Sequence, residues 1–355
     1  MTTSSPWKLL LAIGLLIVSS GQVVEASFGD QSHIFMACIH HCFFGNCSTD
    51  SDLSRFHRTQ PWHLQLLGWD CEDECGHQCM WKAVDYFEAF EERVQFRGKW
   101  PFVRWFGLQE PASAVFSLLN LLANFYGWSE FNKRISSNNR FHALWKCQAY
   151  LAMNAWFWSL AFHSRDIYLT ESMDYFGAFS IVLFSLYAII ARVTIERVES
   201  LLRFIQVPFA CFFLYHVYYM MNVKFDHQYH IGLNIVIGII NSIMWLLWTW
   251  ANRRRPYVAK CAFVVVSLLI LSSLEILDFS PLWYVFDAHS LWHLGTAPLP
   301  LVWYRFLIDD CRFESMKVRE TPSRRTLARR GLARLKEILK ELSVLNYRDD
   351  SFLIE

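Results

Sequence analysis

The stretch that decides the fold is residues 173–192, MDYFGAFSIVLFSLYAIIAR. Its only charged side chains are Asp174 and Arg192, one near each end. A helix of about 20 apolar residues spans about 30 Å, the thickness of the hydrocarbon core of a bilayer. Because lipid offers no partner to backbone polar groups, this stretch is predicted to cross a membrane as a helix.

Six other segments share this length and apolar character: 111–129, 142–163, 203–222, 230–250, 257–276 and 288–308. The composition agrees, because 54% of the residues are hydrophobic and the mean hydropathy is +0.20. A net charge of +1 gives no general attraction to nucleic acid. We therefore predict an all-α membrane protein, in which a seven-transmembrane-helix bundle follows an N-terminal disulfide-rich lumenal region.

The first residues have the pattern of a signal peptide. Lys8 supplies a positive charge, residues 9–20 an apolar core, and Val24-Glu25-Ala26 a small-residue cleavage pattern. The alternative is a first transmembrane helix. Four parts are predicted along the chain: the signal peptide (1–26), a Cys-rich lumenal region (27–105), a membrane domain (106–310) and a basic cytosolic tail (311–355).

Six of the ten cysteines are clustered after the signal peptide. They form two triplets, Cys38, Cys42 and Cys47, and Cys71, Cys75 and Cys79. An even number in an exported segment predicts disulfides, with fifteen pairings open. A zinc knuckle that uses His40, His41 or His77 is the alternative. Asn46 begins an N-glycosylation sequon, which fits a lumenal face.

Lysine and arginine indicate the orientation. With the N-terminus in the lumen, the cytosolic loops are residues 130–141, 192–203 and 251–256, which carry nine basic residues. The lumenal loops carry two, Arg165 and Lys224. This asymmetry agrees with the positive-inside rule.

The tail is basic, and its leucines recur at helical spacing between Leu327 and Leu342. This pattern predicts an amphipathic helix on the anionic cytosolic leaflet, with a solvated helix as the alternative.

Ionisable side chains collect at the lumenal ends of three predicted helices. His163 ends the second segment, Asp174 begins the third, and His289 and His293 begin the seventh. His289 and His293 are four residues apart and share a helical face, and Ser159 stands in the same relation to His163. Ionisable groups at this depth are costly and mark functional sites.

Three histidines with an open fourth position are typical of catalytic zinc sites. We predict that His163, His289 and His293 bind zinc, which lowers the pKa of a coordinated water to about 7. Asp174 is predicted to transfer the proton, and Ser159 to hydrogen-bond the water or the developing oxyanion. Such a site suits an acyl ester near a lipid headgroup.

Metal-bound histidines need acceptors that orient their rings. Glu110, Asp166 and Asp287 are the candidates, because each lies at the same predicted membrane face. His216 is interpreted as a helix–helix hydrogen-bonding group. A serine nucleophile with His163 as its base is the alternative to the metal, but no G-x-S-x-G elbow is present.

Several strings resemble the Per1-like family, which is part of the CREST superfamily of seven-helix membrane hydrolases. They are the two cysteine triplets, Gly98-Lys99-Trp100-Pro101-Phe102, Gln109-Glu110-Pro111-Ala112-Ser113-Ala114, Asn154-Ala155-Trp156-Phe157-Trp158-Ser159, Met173-Asp174-Tyr175-Phe176, Asp287-Ala288-His289 and Trp292-His293. The resemblance extends from Cys38 to about Asp310.

The resemblance implies removal of the unsaturated sn-2 acyl chain from glycosylphosphatidylinositol (GPI) anchors attached to proteins. It implies that the three histidines bind the metal and that Ser159 and Asp174 are catalytic. The implied partners are GPI-anchored proteins and membrane lipids, and the implied location is the Golgi membrane, with the endoplasmic reticulum as the alternative. Rival functions are a ceramidase-like amidase, a zinc-containing seven-helix receptor and a non-enzymatic sorting factor for anchored proteins.

Overall fold

The computed structural model describes residues 27–195 and 199–320, with residues 334, 335 and 337 in isolation. The predicted signal peptide and nearly all of the predicted amphipathic tail helix lie outside these residues. The described chain is helical and contains no named strand. Its helices are α1 Phe28–Gln31, α2 His33–Asn46, α3 Asp50–Thr59, α4 Trp62–Leu66, α5 Cys71–Glu88, α6 Pro111–Arg134, α7 His142–Ser164, α8 Tyr168–Thr194, α9 Glu199–Asn222, α10 His227–Ala251, α11 Val258–Ile276, α12 Ala288–Thr296 and α13 Leu299–Glu320.

Three disulfides hold α2 against α5. They are Cys38–Cys79, Cys42–Cys75 and Cys47–Cys71. Within each triplet the spacing is four or five residues, about one helical turn, so each triplet lies along one face of its helix. The pairing order reverses between the helices, so α2 and α5 run antiparallel. The predicted disulfides are confirmed, and the zinc-knuckle alternative is excluded because all six cysteines are bonded.

Each predicted apolar segment is helical in the structure. Among the described residues, Tyr168–Thr194, Phe204–Asn222 and His227–Ala251 are long and apolar enough to cross a membrane, and Val258–Leu274 is a shorter apolar helix. The chain is a multi-pass membrane protein. The number seven for its spans stays a prediction.

The seventh predicted segment differs from its expectation. We expected one helix over residues 288–308, but α12 ends at Thr296 and α13 begins at Leu299. Pro298 lies in the break. Proline donates no backbone hydrogen bond and its ring crowds the preceding turn, so the helical hydrogen-bond ladder is interrupted there.

Six of the helices from α6 to α12 form a closed ring of contacts. α6 packs on α7, α7 on α8, α8 on α10, α10 on α11, α11 on α12, and α12 returns to α6, while α9 packs on the outside of α8. Gly127 lets the start of α13 approach α6, because a Cβ there would lie 2.1 Å from the Cδ2 atom of Tyr304. This ring places the histidine-bearing ends of α7 and α12 on either side of α6.

Helix α6 has its polar side chains inside and its apolar side chains outside. The polar face comprises four buried residues, Ser113, Ser117, Asn120 and Asn124. The exposed face comprises Leu118, Leu122, Phe125 and Tyr126. A helix in water shows the reverse pattern, so this arrangement is typical of a helix that faces lipid and lines a polar interior.

Candidate metal centre

The three predicted histidines converge at one point. His163 lies near the C-terminal end of α7, and His289 and His293 lie one turn apart on α12. The Nε2 atom of His289 is 3.3 Å from Nε2 of His163 and 2.8 Å from Nε2 of His293. One nitrogen from each ring lies within 4.8 Å of the others. His163 and His293 are almost completely buried.

The donor set fits a zinc ion. Zinc–nitrogen bonds of about 2.0–2.1 Å in a tetrahedron require nitrogen atoms about 3.3 Å apart. The separation is 3.3 Å between His289 and His163 and a shorter 2.8 Å between His289 and His293. Three imidazole nitrogens that face one another in a buried space repel unless a cation or protons lie between them. Three histidine ligands also leave a fourth position open, as catalytic zinc sites do.

A carboxylate orients His163 from behind. The Nδ1 atom of His163 lies 2.6 Å from Oε2 of Glu110, which leaves Nε2 to face the other histidines. Glu110 immediately precedes α6, and its backbone N–H donates to the carbonyl of His163 at 2.9 Å. Carboxylates in this position fix the tautomer and orientation of metal-bound histidines, and Glu110 has the geometry for that role.

Lys99 links this carboxylate to a second one. Its Nζ atom lies 3.0 Å from Oε1 of Glu110 and 2.8 Å from Oδ2 of Asp166. Burial alone would raise the pKa of Glu110, but the charge of Lys99 and the hydrogen bond from His163 outweigh it and hold the pKa well below its usual range. Burial opposes the charge of Lys99, but Glu110 and Asp166 raise its pKa above the usual value. Asp166 thus reaches the site through Lys99.

Two polar residues of α6 that we did not predict contact His293. Ser117 Oγ lies 3.3 Å from Nδ1 of His293 and 3.1 Å from Oγ of Ser159. The side-chain amide of Asn120 donates to the carbonyl of His293 at 2.8 Å. Ser159 therefore reaches His293, a metal-ligand candidate, through the hydroxyl of Ser117. Ser117 and Asn120 could have been identified from the sequence, because polar residues recur at helical spacing within the apolar segment 111–129.

The other two predicted acidic residues, Asp174 and Asp287, differ in their surroundings. Asp174, in the first two turns of α8, interacts electrostatically with His163 and His289. Asp287 is the N-cap of α12, and its Oδ1 atom accepts a hydrogen bond from the backbone N–H of Ser290 at 2.8 Å. Asp287 thus stabilises the start of the helix that carries two of the histidines.

A stack of three side chains joins the disulfide-rich region to the site. Two guanidinium groups lie over the ring of Trp69. The distance from Cζ to the ring centroid is 3.4 Å for Arg104 and 3.8 Å for Arg165. Arg104 pairs with Glu74 and Arg165 with Asp73, both on α5. Arg165 follows His163 by two residues, so the disulfide-rich region contacts the chain next to a metal-ligand candidate.

A second histidine pair lies elsewhere in the bundle. Nε2 of His216 on α9 is 3.3 Å from Nδ1 of His230 on α10, and His230 also contacts Asn234 at 3.0 Å. Both histidines are buried. The interpretation of His216 as a helix–helix hydrogen-bonding group is confirmed.

The chain matches the Per1-like family over residues 61–311. The chain belongs to this family. All residues of the metal centre lie inside the matched range, as do the cysteines of α5. No solved structure matches the chain.

Several relatives are similar over nearly their full length. A Danio rerio protein called GPI-specific phospholipase A2-like PGAP3 is 41% identical over 304 residues, covering 85% of this chain and 95% of the relative. The Homo sapiens protein of that name is 38% identical over 305 residues, covering 85% and 93%. The Protein PER1 homolog of Schizosaccharomyces pombe is 35% identical over 302 residues, covering 83% and 90%. Similarity within the Per1-like family thus extends across animals and a yeast.

Proposed function

We propose that this protein remodels GPI anchors by hydrolysing the sn-2 acyl ester of the phosphatidylinositol moiety of GPI-anchored proteins. The names of the Danio rerio and Homo sapiens relatives support the reaction and the substrate class. The observation that carries the proposal is the convergence of three histidine Nε2 atoms in front of a buried carboxylate.

His163, His289 and His293 are the residues that would hold zinc. The ion would supply a Lewis acid for the ester carbonyl and hydroxide at neutral pH. Glu110 keeps Nδ1 of His163 occupied, so that Nε2 is the free nitrogen. Ser117 does the same at Nδ1 of His293.

The proposal gives the remaining steps to Asp174 and Ser159. The carboxylate of Asp174 accepts a proton during attack and returns it to the alkoxide oxygen of the departing lysolipid. The hydroxyl of Ser159 donates to the oxyanion that develops on the ester carbonyl, with Ser117 as the neighbour that holds it in place. The position of Asp174 within electrostatic range of His163 and His289 supports its assignment.

We further propose that the site faces the lumen of the Golgi, in a bundle of seven spans with the C-terminus in the cytosol. The excess of basic residues in the alternate loops supports this orientation. Helix α6 has a buried polar face and an exposed apolar face, which supports α6 as a membrane span. Its mean hydropathy alone does not identify it as one. A ceramidase-like amidase could use the same histidines, but the names of the relatives favour the ester.

The experiment is lipid analysis of a GPI-anchored reporter in cells that lack this protein. Cells are complemented with wild type, with His289→Ala, or with His216→Ala. The last variant removes a buried histidine of the same bundle outside the metal centre, so it is the matched control. We expect saturated anchors with wild type and His216→Ala, and a retained unsaturated sn-2 chain with His289→Ala, all compared at equal protein abundance.

Full rescue by His289→Ala would refute a catalytic metal centre and favour a sorting factor for anchored proteins. If His289→Ala and His216→Ala, both at normal abundance, lose remodelling to the same extent, buried histidines are needed for the structure of the bundle. That result would not support a catalytic role for His289. Lipid analysis also reports which ester is cleaved, so loss of the sn-1 chain would contradict the proposed selectivity.

A further inference from the structure

Two tight turns present large aromatic side chains to the outside of the protein. In the first, Trp105 and Phe106 are 58% and 66% exposed, and in the second, Trp283 is 80% exposed. Neither turn belongs to a membrane helix. Exposed indole and phenyl rings of this size are unfavourable in water, where each leaves a large apolar surface hydrated.

The backbone of each turn is held in an unfavourable conformation. Phe106 and Trp283 have φ of 50° and 54°, in the left-handed region that bulky residues rarely adopt. A backbone hydrogen bond closes each turn, from Leu108 to Trp105 at 3.0 Å and from Leu282 to Phe286 at 2.8 Å. Strain of this kind, maintained to expose a hydrophobic ring, points to a function for that ring.

The two turns belong to one surface. The backbone N–H of Val103 donates to the carbonyl of Tyr284 at 3.0 Å, which joins the strand-like segments that bear the turns. Within segments 101–108 and 281–286 the one charged residue is Arg104, whose guanidinium lies against Trp69. Charged neighbours lie on the Tyr284 side of the second turn, where the hydroxyl of Tyr284 donates to Glu88. The exposed surface of these segments is therefore apolar and aromatic.

Both turns stand at the same short distance from the metal centre along the chain. Four residues separate Phe106 from the start of α6, and four separate Trp283 from the start of α12. Five extended steps reach at most about 17 Å, so both tips lie near the ends of these helices. Tryptophan and other amphipathic rings settle at the boundary between headgroups and hydrocarbon.

We propose that the turns at Trp105–Phe106 and Trp283, here called the aromatic turns, insert into the lumenal leaflet and hold the histidines at the depth of the acyl esters. The partner is a lipid surface, and the argument for it is continuity with the membrane helices that follow both turns. This inference rests on the proposed function for its meaning, since an ester at the headgroup boundary is the group that this depth would present to the metal centre. The insertion itself requires no reaction.

The test uses the full-length protein in phospholipid nanodiscs that contain a lipid with a photoactivatable diazirine near the carbonyl end of one acyl chain. After irradiation, labelled residues are mapped by mass spectrometry. We expect label on the peptides that contain Trp105–Phe106 and Trp283, in addition to the membrane helices. Phe44 on α2 is as exposed as Trp105 but lies outside the aromatic turns, so its peptide is the internal control and should remain unlabelled.

A functional arm then separates lipid contact from chemistry. A triple variant, Trp105→Ser, Phe106→Ser and Trp283→Ser, should lower hydrolysis of bilayer-embedded anchors at least fivefold. It should leave hydrolysis of a short-chain substrate dispersed in detergent within twofold of wild type, while Phe44→Ser changes neither rate. Loss of both rates would mean that the turns are structural and would overturn the proposal.

The labelling arm is decisive even if the protein proves not to be a hydrolase, because it measures contact and not turnover. Membrane helices that are labelled while both aromatic turns are not would overturn the proposal. Protection of the turns that appears only when a GPI-anchored protein is added would also overturn it, and would assign the surface to protein recognition.

Discussion

Replacement of Glu110 by glutamine tests how the metal centre is held. The carboxylate presents two acceptor oxygens, one at 2.6 Å from Nδ1 of His163 and one at 3.0 Å from Nζ of Lys99. A glutamine amide has the same shape but only one acceptor. In Glu110→Gln its NH₂ group must face either His163 or Lys99, and both of these groups are donors.

The ammonium charge of Lys99 favours the orientation in which the amide oxygen faces Lys99 and the NH₂ group faces His163, and the expected loss of zinc affinity follows from that orientation. If the amide NH₂ faces His163, the imidazole must carry its proton on Nε2, which removes the lone pair that a metal needs. If it faces Lys99, a buried ammonium loses one of its two acceptors. Loss of such an orienting partner lowers metal affinity by about 10- to 100-fold, which is about 1.4–2.7 kcal/mol. We expect Glu110→Gln to bind zinc in this weakened range and to need added zinc for hydrolysis.

The assay is competition between the purified protein in nanodiscs and a zinc-binding dye, with bound metal counted by mass spectrometry. Asp166→Asn is the matched control, because Asp166 also contacts Lys99 but does not contact His163. We expect its zinc affinity to stay within threefold of wild type. An unchanged affinity in Glu110→Gln, or equal losses in both variants, would refute the argument from His163 orientation.

Three further predictions concern folding. Trp69→Ala should lower the free energy of unfolding by about 3–5 kcal/mol, because it removes a buried indole between two cations, whereas Trp69→Phe should lose less; thermal unfolding measures both, and equal losses would contradict the stacking role. Gly127→Ala should destabilise by about 1–3 kcal/mol, because its Cβ would clash with the ring of Tyr304, whereas Gly45→Ala, with open space around it, should be neutral or stabilising in the same measurement. Burial, with Arg104 nearby, lowers the pKa of His77 to about 4, below the unfolded value of about 6.5, so the folded state binds fewer protons in this window. Stability should therefore be full above pH 6.5 and fall as the pH drops towards 4; a melting temperature in His77→Asn that depends on pH as strongly as wild type would contradict this.

Local periodicity was sufficient to predict most of the fold. Lengths of apolar segments predicted the first six helices of the bundle to within about five residues at each end, because burial in lipid leaves the helix as the only conformation for such segments. The seventh segment was predicted less well, since it is divided into α12 and α13 and its second helix continues to Glu320. Cysteine spacing identified the disulfide-rich region. The pairing needed the structure, since which triplet faces which, and in what order, depends on how α2 and α5 pack. The break at Pro298 could have been predicted from the proline itself.

The metal-ligand candidates could be predicted because histidines at one membrane depth are rare and costly. Their supporting residues were harder to recognise. Lys99 lies outside any helix, and nothing in the sequence indicates that its ammonium bridges Glu110 and Asp166. Ser117 lies in a helix whose small polar residues are unremarkable until the ring of contacts brings α6 against α12. Contacts between distant segments are a property of the tertiary fold, which periodicity does not report.

The disulfides and the Trp69 stack together give an argument for the proposed orientation that is independent of the arginine count. Disulfides form and persist in an oxidising compartment, which supports the proposed position of α5 on the lumenal side of a secretory membrane. Arg165 contacts Trp69 and pairs with Asp73 on α5. His163 is two residues from Arg165, so the histidine end of α7 must lie on the same side of the membrane as the disulfides. The metal centre would then face the compartment in which the protein part of a GPI-anchored substrate is found. A cytosolic site would require Arg165 to lose its contacts with Trp69 and Asp73.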